Sequence, residues 1–560
     1  MAERSAATAS RRVLIVGGVA GGASCAARLR RLDERASITL IDRGPYVSFA
    51  NCGLPYYVGN VIADEKKLLV ASPALFRDRF EIDVHTGTEA VAIDRAKRTL
   101  TLRDVASGAE RVEPYDALVL APGASPIRPP LPGIDRPGVF AVRSIPDTQR
   151  IRAWIDERAA KSAVVVGGGF IGLEMAENLV HRGLAVTILE KLPQVMPPLD
   201  PEMVSPVTQH LRERGVELHL GDGLAAIDAE GDRLAVVAES GARLPADLVI
   251  LAIGVRPETK LAKEAGLAIG ARGGIVVDEQ MRTSDPHVWA IGDAIEVRDV
   301  LLGQETVVPL AGPANRQGRI AAESIVGRAT RFRGVQATAV VGVLGMIVAS
   351  TGASEKGLRR AGVGDFAKVY LHPGHHAGYY PGARPIHLKL LFAKSDGRIL
   401  GAQAVGTEGV EKRIDVIATA IQLGGTVHDL AEAELCYAPQ FGAAKDPVNL
   451  AGMIARNVLS GDMPLAEWDK IGEGAALLVD VRDPSEFAAG HIPGAINLPL
   501  PELRRRHGEL PRDRAVWLCC GVGQRAYYAT RYLAQEGYRA ANLSGGYTTY
   551  RALRDAGLVA

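Results

Sequence analysis

Two cysteines stand where a sulfur nucleophile could be made. Cys52, in the run S-F-A-N-C-G-L-P-Y-Y over 48–57, precedes a predicted helix start, where backbone N–H groups would lower its pKa and favour the thiolate. Cys520 follows the strand-like run A-V-W-L-C over 515–519 and opens a loop with Gly521 and Gly523 ahead of a helix carrying Arg525. Such a loop turns successive N–H groups inward. With the charge of Arg525, it would stabilise a thiolate and the persulfide formed on it. The spacing to Gly523 and Arg525 assigns this role to Cys520 and leaves Cys519 as a buried strand residue. Thiolates attack sulfur–sulfur bonds, so both positions point to disulfide or persulfide chemistry. Five cysteines in 560 residues cannot form a disulfide framework, and no pair has zinc-ligand spacing, so no metal is expected. Their scarcity suits a reducing, cytoplasmic setting.

Such chemistry needs electrons, and the elements that would bring them are legible. The β-branched run V-L-I-V (13–16) leads into Gly17-Gly18-Val19-Ala20-Gly21-Gly22 and an alanine-rich helix. A second strand then ends in Asp42. Strand, glycine turn, helix and terminal acid form a dinucleotide-binding βαβ unit, with pyrophosphate at the helix N-terminus and a ribose hydroxyl on the acid. Val19 stands where the fingerprint usually has its second glycine. The pattern recurs more cleanly at A-V-V-V (163–166), Gly167-Gly168-Gly169-Phe170-Ile171-Gly172 and a strand ending in Glu190. A glutamate there bonds a free 2′-hydroxyl and repels a 2′-phosphate, favouring NADH. Lys191 beside it softens that preference enough to leave NADPH possible. Two such units predict FAD in the first and NADH in the second. A strand into Ala121-Pro122-Gly123 and another into Gly292-Asp293 supply further flavin contacts, with Asp293 within reach of a ribityl chain. Arg43 and Gly254 join the predicted dinucleotide contacts.

Bulk properties set the frame. The length implies three or more domains. A formal net charge of +1 steers the chain to neither nucleic acid nor anionic lipid. No run approaches the ~18 apolar residues of a membrane span. The S-R-R-V-L run (10–14) superficially matches a twin-arginine signal, but the apolar stretch stops at Gly17, so a cytoplasmic strand is expected there.

On these motifs, residues 11–455 resemble the pyridine nucleotide–disulfide oxidoreductase superfamily. The resemblance implies a split FAD domain with the NAD unit inserted, and carries over Asp293 as the ribityl ligand. Cys52 lacks the partner of a C-x-x-x-x-C pair. Its surroundings are similar to those in coenzyme A disulfide reductases and NADH-dependent persulfide reductases, and more distantly to NADH oxidases and peroxidases. In those relatives one cysteine cycles through thiolate, mixed disulfide or sulfenate. The resemblance places Arg28, Ser48, Asn51, Arg316 and Lys445 where the relatives contact coenzyme A. It implies a homodimer whose active site is shared, Tyr437 reaching in from the partner subunit. Tyr379 or Tyr380 resembles a second such tyrosine. Gln440 departs from the family pattern, standing for a proline.

Residues 465–560 resemble a single rhodanese domain, through D-V-R (480–482), G-H-I-P-G-A (490–495) and C-G-V-G-Q-R (520–525). The fold class expected is therefore α/β: two Rossmann-like domains, an α+β dimerisation domain and a rhodanese domain. The boundaries expected are 1–145 and 271–335 for FAD, 146–270 for NAD(P)H, 336–455 for dimerisation and 465–560 for rhodanese. The function expected is reduction of persulfides, polysulfides or coenzyme A disulfide through Cys52, coupled to sulfur transfer through Cys520. Two other readings use the same residues: an NADH oxidase or peroxidase cycling through a Cys52 sulfenate, and a redox-sensing sulfur carrier.

Overall fold

Runs buried on both faces, interrupted by glycine turns, build parallel sheets layered with helices. The computed structural model, which describes residues 10–474 and 476–559, has this order. The chain begins with β1 (Arg12–Val16), α1 (Ala20–Arg30), β2 (Ser37–Ile41), α2 (Leu54–Val58), β3 (Asp83–His85) and β4 (Ala117–Leu120). A second parallel set follows: β5 (Val139–Ala141), β6 (Ser162–Val166), α3 (Phe170–His181), β7 (Ala185–Glu190) and β8 (Leu248–Leu251), in spatial order β7-β6-β8-β5. The chain then returns with β9 (Val288–Ala290) and α4 (Ala311–Ile325). β9 closes the first sheet, β9-β4-β1-β2-β3, all parallel.

Steric limits explain why the two glycine motifs differ. A Cβ on Gly17, at φ +97°, would lie 2.0 Å from the Ala121 carbonyl oxygen, and one on Gly22 would lie 1.8 Å from that of Gly17. Gly167 and Gly172 meet the same walls at 2.4 and 1.9 Å. The middle position is different. A Cβ on Gly169 meets no atom within 4 Å, so the fold itself tolerates Val19 at the equivalent place.

The chain divides into two compact units, Met1–Pro193 with Leu218–Val335, and Gln194–Glu217 with Gln336–Ala560. In the second, β10 (Ala339–Val343), β11 (Met346–Gly352), β12 (Phe366–Leu371), β13 (His387–Ala393) and β14 (Ile399–Gly406) form an antiparallel sheet ordered β10-β11-β14-β13-β12. The sequence suggests period-two alternation in β12 and β13, yet all of β13 after His387 is buried, because the sheet is covered on both faces. A four-stranded parallel sheet follows from β15 (Ala476–Asp480), β16 (Ile496–Asn497), β17 (Ala515–Cys519) and β18 (Ala540–Asn542), ordered β16-β15-β17-β18. The helices Gln524–Gln535 and Gly546–Asp555 belong to it.

Residues 194–217 lie inside the stretch expected to form the NAD(P)H domain, yet they pack in the second unit. The cause is electrostatic. Lys389 is fully buried, and its Nζ donates to Asp200 at 2.8 Å, Glu202 at 2.6 Å and Glu355 at 2.8 Å. Tyr370 Oη and Gln403 Nε2 also donate to these carboxylates. Two acids at the start of the helix Pro201–Glu213 can be buried only against a cation, and Lys389 supplies it. No described helix is long and apolar enough to cross a membrane.

Candidate functional site

In the first unit a cleft of 1390 Å³ runs along the C-terminal ends of the first sheet. Of the predicted flavin contacts, Gly17, Val19, Ala20, Asp42, Arg43, Ala121, Gly123, Gly292 and Asp293 line it, and so does Asn51, expected to contact coenzyme A. Gly18 and Gly22 build the turn instead: the Gly18 N–H is held by Asp42 Oδ2 at 2.8 Å, and Gly22 packs on Gly17. Burial pushes the carboxyls of Asp42 and Asp293 upward, against the pull of Arg143. Arg143 is the contact that the sequence reading missed. Its guanidinium faces Asp293, Glu258 and Asp42 from the cleft wall and donates to the Pro122 carbonyl at 3.0 Å. The signal available was the capping box of Ser144 and Asp147, which fixes the residue just ahead of a helix. A helix N-terminus, a strand-end acid and one half-buried guanidinium suit a molecule with a central pyrophosphate and hydroxylated arms, which FAD is.

The second glycine turn has the same parts. Glu190 Oε2 accepts from the Gly168 N–H at 2.6 Å and Oε1 from that of Leu192 at 2.8 Å. Phe170 and Ile171 begin α3, and the open space at Gly169 leaves room for a ligand's phosphates. Gly254, at φ +109°, accepts from the Ile127 N–H at 3.0 Å where the chain crosses between the two sheets. The donor set fits a nicotinamide dinucleotide.

Cys52 sits in a single 3-10 turn, Asn51–Gly53, and is exposed. The sequence reading expects a lowered thiol pKa, and the structure corrects it. The surrounding protein pushes the thiol upward first, followed by the Glu174 and Asp293 carboxylates. α2 has only five residues, so its dipole is too weak to offset two acids. Glu174, on the second turn of α3, is itself pushed up to about 7, by burial and then by Glu177. It accepts from Tyr56 Oη at 3.4 Å.

The residues expected to hold coenzyme A are dispersed in role. Arg28 is engaged by Glu323 at 2.5 Å. Ser48 is at φ +47° and its N–H donates to Gly18. Arg316 is exposed, over the ring of Phe332. In the second unit Lys445 is exposed, and Tyr379 Oη and Tyr437 Oη share a hydrogen bond of 2.7 Å. Tyr380 packs edge-on to His376 instead, so the structure pairs Tyr379 with Tyr437.

Cys520 is buried, and its Sγ accepts the Gly523 N–H at 3.1 Å. Arg525 departs from expectation. Both guanidinium nitrogens are held by Glu486 at 2.7 Å, so its charge over the thiol is largely neutralised. Cys519, the strand residue, is buried, and desolvation and Asp480 push its thiol well up.

Comparison with known proteins matches three families: pyridine nucleotide-disulphide oxidoreductase over residues 11–318, its dimerisation domain over 338–446, and a rhodanese-like domain over 467–553. A coenzyme A disulfide reductase of Staphylococcus haemolyticus (strain JCSC1435) is 35% identical over 449 residues, which are 80% of this chain and 100% of that protein. The crystal structure of reduced Bacillus anthracis CoADR-RHD is 47% identical, covers 98% of this chain and 99% of its own, and superposes with a TM-score of 0.95. An NAD-dependent persulfide reductase from A. fulgidus is 38% identical, with coverages of 96% and 100% and a TM-score of 0.90.

Proposed function

Because the chain belongs to the pyridine nucleotide-disulphide oxidoreductase family, we propose that it is an NADH-dependent reductase of persulfides, polysulfides and coenzyme A disulfide, working with a sulfur-carrying rhodanese domain. The observation that carries this reading is a thiol cradled for sulfur transfer, Cys520 under the Gly523 N–H, in the same chain as two dinucleotide folds and an exposed Cys52. The α1 N-terminus, Asp42, Arg143 and Asp293 would hold FAD, which when bound supplies the path for two electrons from NADH to sulfur. The Cys52 thiolate attacks a substrate S–S bond, forming a mixed disulfide and releasing hydrosulfide or a thiolate. The two electrons of NADH then return Cys52 to thiolate and release the second thiol. For a persulfide the sum is RSSH + NADH + H⁺ → RSH + H₂S + NAD⁺. Glu174, poised near neutrality beside Cys52, is suited to exchange protons there. Cys520 accepts sulfane sulfur as a persulfide and passes it to a thiol.

The chain works as a homodimer, with Tyr437 entering the partner's site. Three exposed aromatics in the dimerisation domain support this: Tyr379 at 76%, Tyr437 at 48% and Phe441 at 65%. Coenzyme A lies along Ser48, Asn51 and Arg316, with Arg28 contributing only if Glu323 yields. Five unpaired cysteines suit a reducing, cytoplasmic setting.

Two results are expected. Glu190→Ala removes the acceptor for a ribose 2′-hydroxyl and the repulsion of a 2′-phosphate. The KM for NADH should rise about tenfold and the NADPH-to-NADH ratio of kcat/KM about a hundredfold, both read by steady-state kinetics. The test of the whole reading is anaerobic NADH oxidation with coenzyme A persulfide, coenzyme A disulfide and polysulfide. Cys520→Ser should leave coenzyme A disulfide reduction unchanged and slow sulfide release from polysulfide at least tenfold. Equal loss on every acceptor, or NADH oxidation that runs only with oxygen, would overturn it.

A further inference from the structure

The sulfur-carrying loop rests on a turn of its own domain that is clamped by residues outside it. Gly545 and Gly546 connect β18 to the last helix, and both have positive φ. A Cβ on Gly545 would fall 2.7 Å from Tyr370 Cβ and 2.0 Å from Thr549 Oγ1, and one on Gly546 would fall 2.2 Å from the Cys520 carbonyl oxygen. The turn 544–549 is thus wedged between the end of β12 and the Cys520 loop.

Hydrogen bonds fix both faces of the wedge. Toward β12, buried Ser544 Oγ accepts from the Tyr370 N–H at 2.8 Å and donates to the Tyr370 carbonyl at 3.3 Å. His372 Nε2 meets Thr549 Oγ1 at 2.9 Å, and its Nδ1 is held by His387 Nδ1 at 2.8 Å. Toward the thiol, the Tyr547 N–H donates to Cys520 O at 2.7 Å and the Thr548 N–H to Gly521 O at 3.0 Å. Those two carbonyls orient the peptides of the loop whose Gly523 N–H caps Cys520 Sγ. Ser544 and Thr549 on one side of the domain boundary, with the Tyr370 backbone and His372 on the other, link the dimerisation sheet to the turn that holds the carrier thiol's loop. The sheet end is itself rigid, because the Tyr370 ring is buried and its Oη is bonded to Glu202 in the Lys389 network.

We propose that His372, together with the backbone of Tyr370, positions the Cys520 site from the dimerisation domain, acting through Thr549 and Ser544. The proposal rests on the reading of Cys520 as the sulfur carrier. It implies that the rhodanese domain reaches full sulfur-transfer activity only while docked on β12. A displaced wedge turns the Gly523 N–H away from Sγ, and such misplacements are costly in rate.

The test uses the full-length holoenzyme, with polysulfide as sulfur donor and cyanide as acceptor. Iodoacetamide labelling of Cys520 is followed against pH in parallel. For Ser544→Ala and His372→Phe, kcat should fall about tenfold with the donor KM within about twofold. The Cys520 labelling profile should shift to higher pH, and Ser544→Thr should restore both. NADH-dependent reduction of coenzyme A disulfide should stay at the wild-type rate. If His372→Phe does not fold, Thr549→Val, which removes the same hydrogen bond from the other side, carries the measurement. Wild-type kcat and labelling profile with only a lowered Tm would overturn the proposal, leaving the contacts as simple docking. Cys520→Ser is the control. If it retains sulfur transfer, the carrier reading fails and takes the proposal with it; if it abolishes transfer while Ser544→Ala does not, only the positioning role fails.

Discussion

Cys52→Ser should abolish sulfur–sulfur reduction by at least a thousandfold while leaving the flavin bound and reducible by NADH. Serine keeps the shape of the turn Asn51–Gly53 but cannot form a thiolate or a mixed disulfide. The dinucleotide clefts do not depend on it, because the groups that line them are the glycine turns, Asp42, Arg143 and Asp293. Stopped-flow absorbance under argon separates the two effects: flavin bleaching by NADH should persist, and reoxidation by coenzyme A persulfide should vanish. Turnover of sulfur acceptors within about tenfold of wild type would remove Cys52 from the mechanism and bring the oxidase reading forward.

Lys389→Met should be the most destabilising single substitution in the second unit. It leaves Asp200, Glu202 and Glu355 facing one another in a buried space with one cation fewer. Removing one partner of a buried ion pair costs about 3–5 kcal/mol, and here three carboxylates lose the same partner. Denaturant titration followed by the fluorescence of the second unit's tryptophans, Trp468 and Trp517, should show the midpoint fall, and Asp200→Asn on top of Lys389→Met should recover part of it. The network also sets an acid limit. Lys389 and Lys368 hold the Glu355 carboxyl down, from an ordinary value near 4.5 to about 2. A depressed carboxyl stabilises the fold above its unfolded pKa, and that contribution is lost as pH falls from about 4.5 toward 2. Loss of near-ultraviolet circular dichroism in that window, earlier in the Lys368→Met variant, is the expected result.

The strand–glycine–helix grammar made the two dinucleotide folds legible, since Gly17, Gly22, Gly167 and Gly172 are demanded by backbone collisions within each unit. Cys520 was legible for the same reason, a strand end followed by a glycine loop. What failed were electrostatic sums over residues distant in sequence. The thiolate expected at Cys52 rested on local N–H groups, while the groups that set its pKa include Glu174 and Asp293, which are far along the chain. Arg525 was read as a charge over the thiol and Arg28 as a coenzyme A contact, and each has a carboxylate partner, Glu486 or Glu323, that no spacing rule points to. The excursion of residues 194–217 was hidden for a related reason. An amphipathic helix does not declare which sheet it will cover, and its cation is 187 residues away.

That separation gives the ribosome a part in the fold. At about 5–20 residues per second, Glu202 is made roughly 10–40 s before Lys389. The Ser544 side chain that clasps β12 arrives later still. For that interval the first unit's early strands are able to pair, but the helix Pro201–Glu213 has two acids and no burial site. It must stay solvated, held out as a loop from a sheet that is already closing. A nascent chain stalled before residue 389 would therefore present this helix to proteases and chaperones, and one released at full length would not.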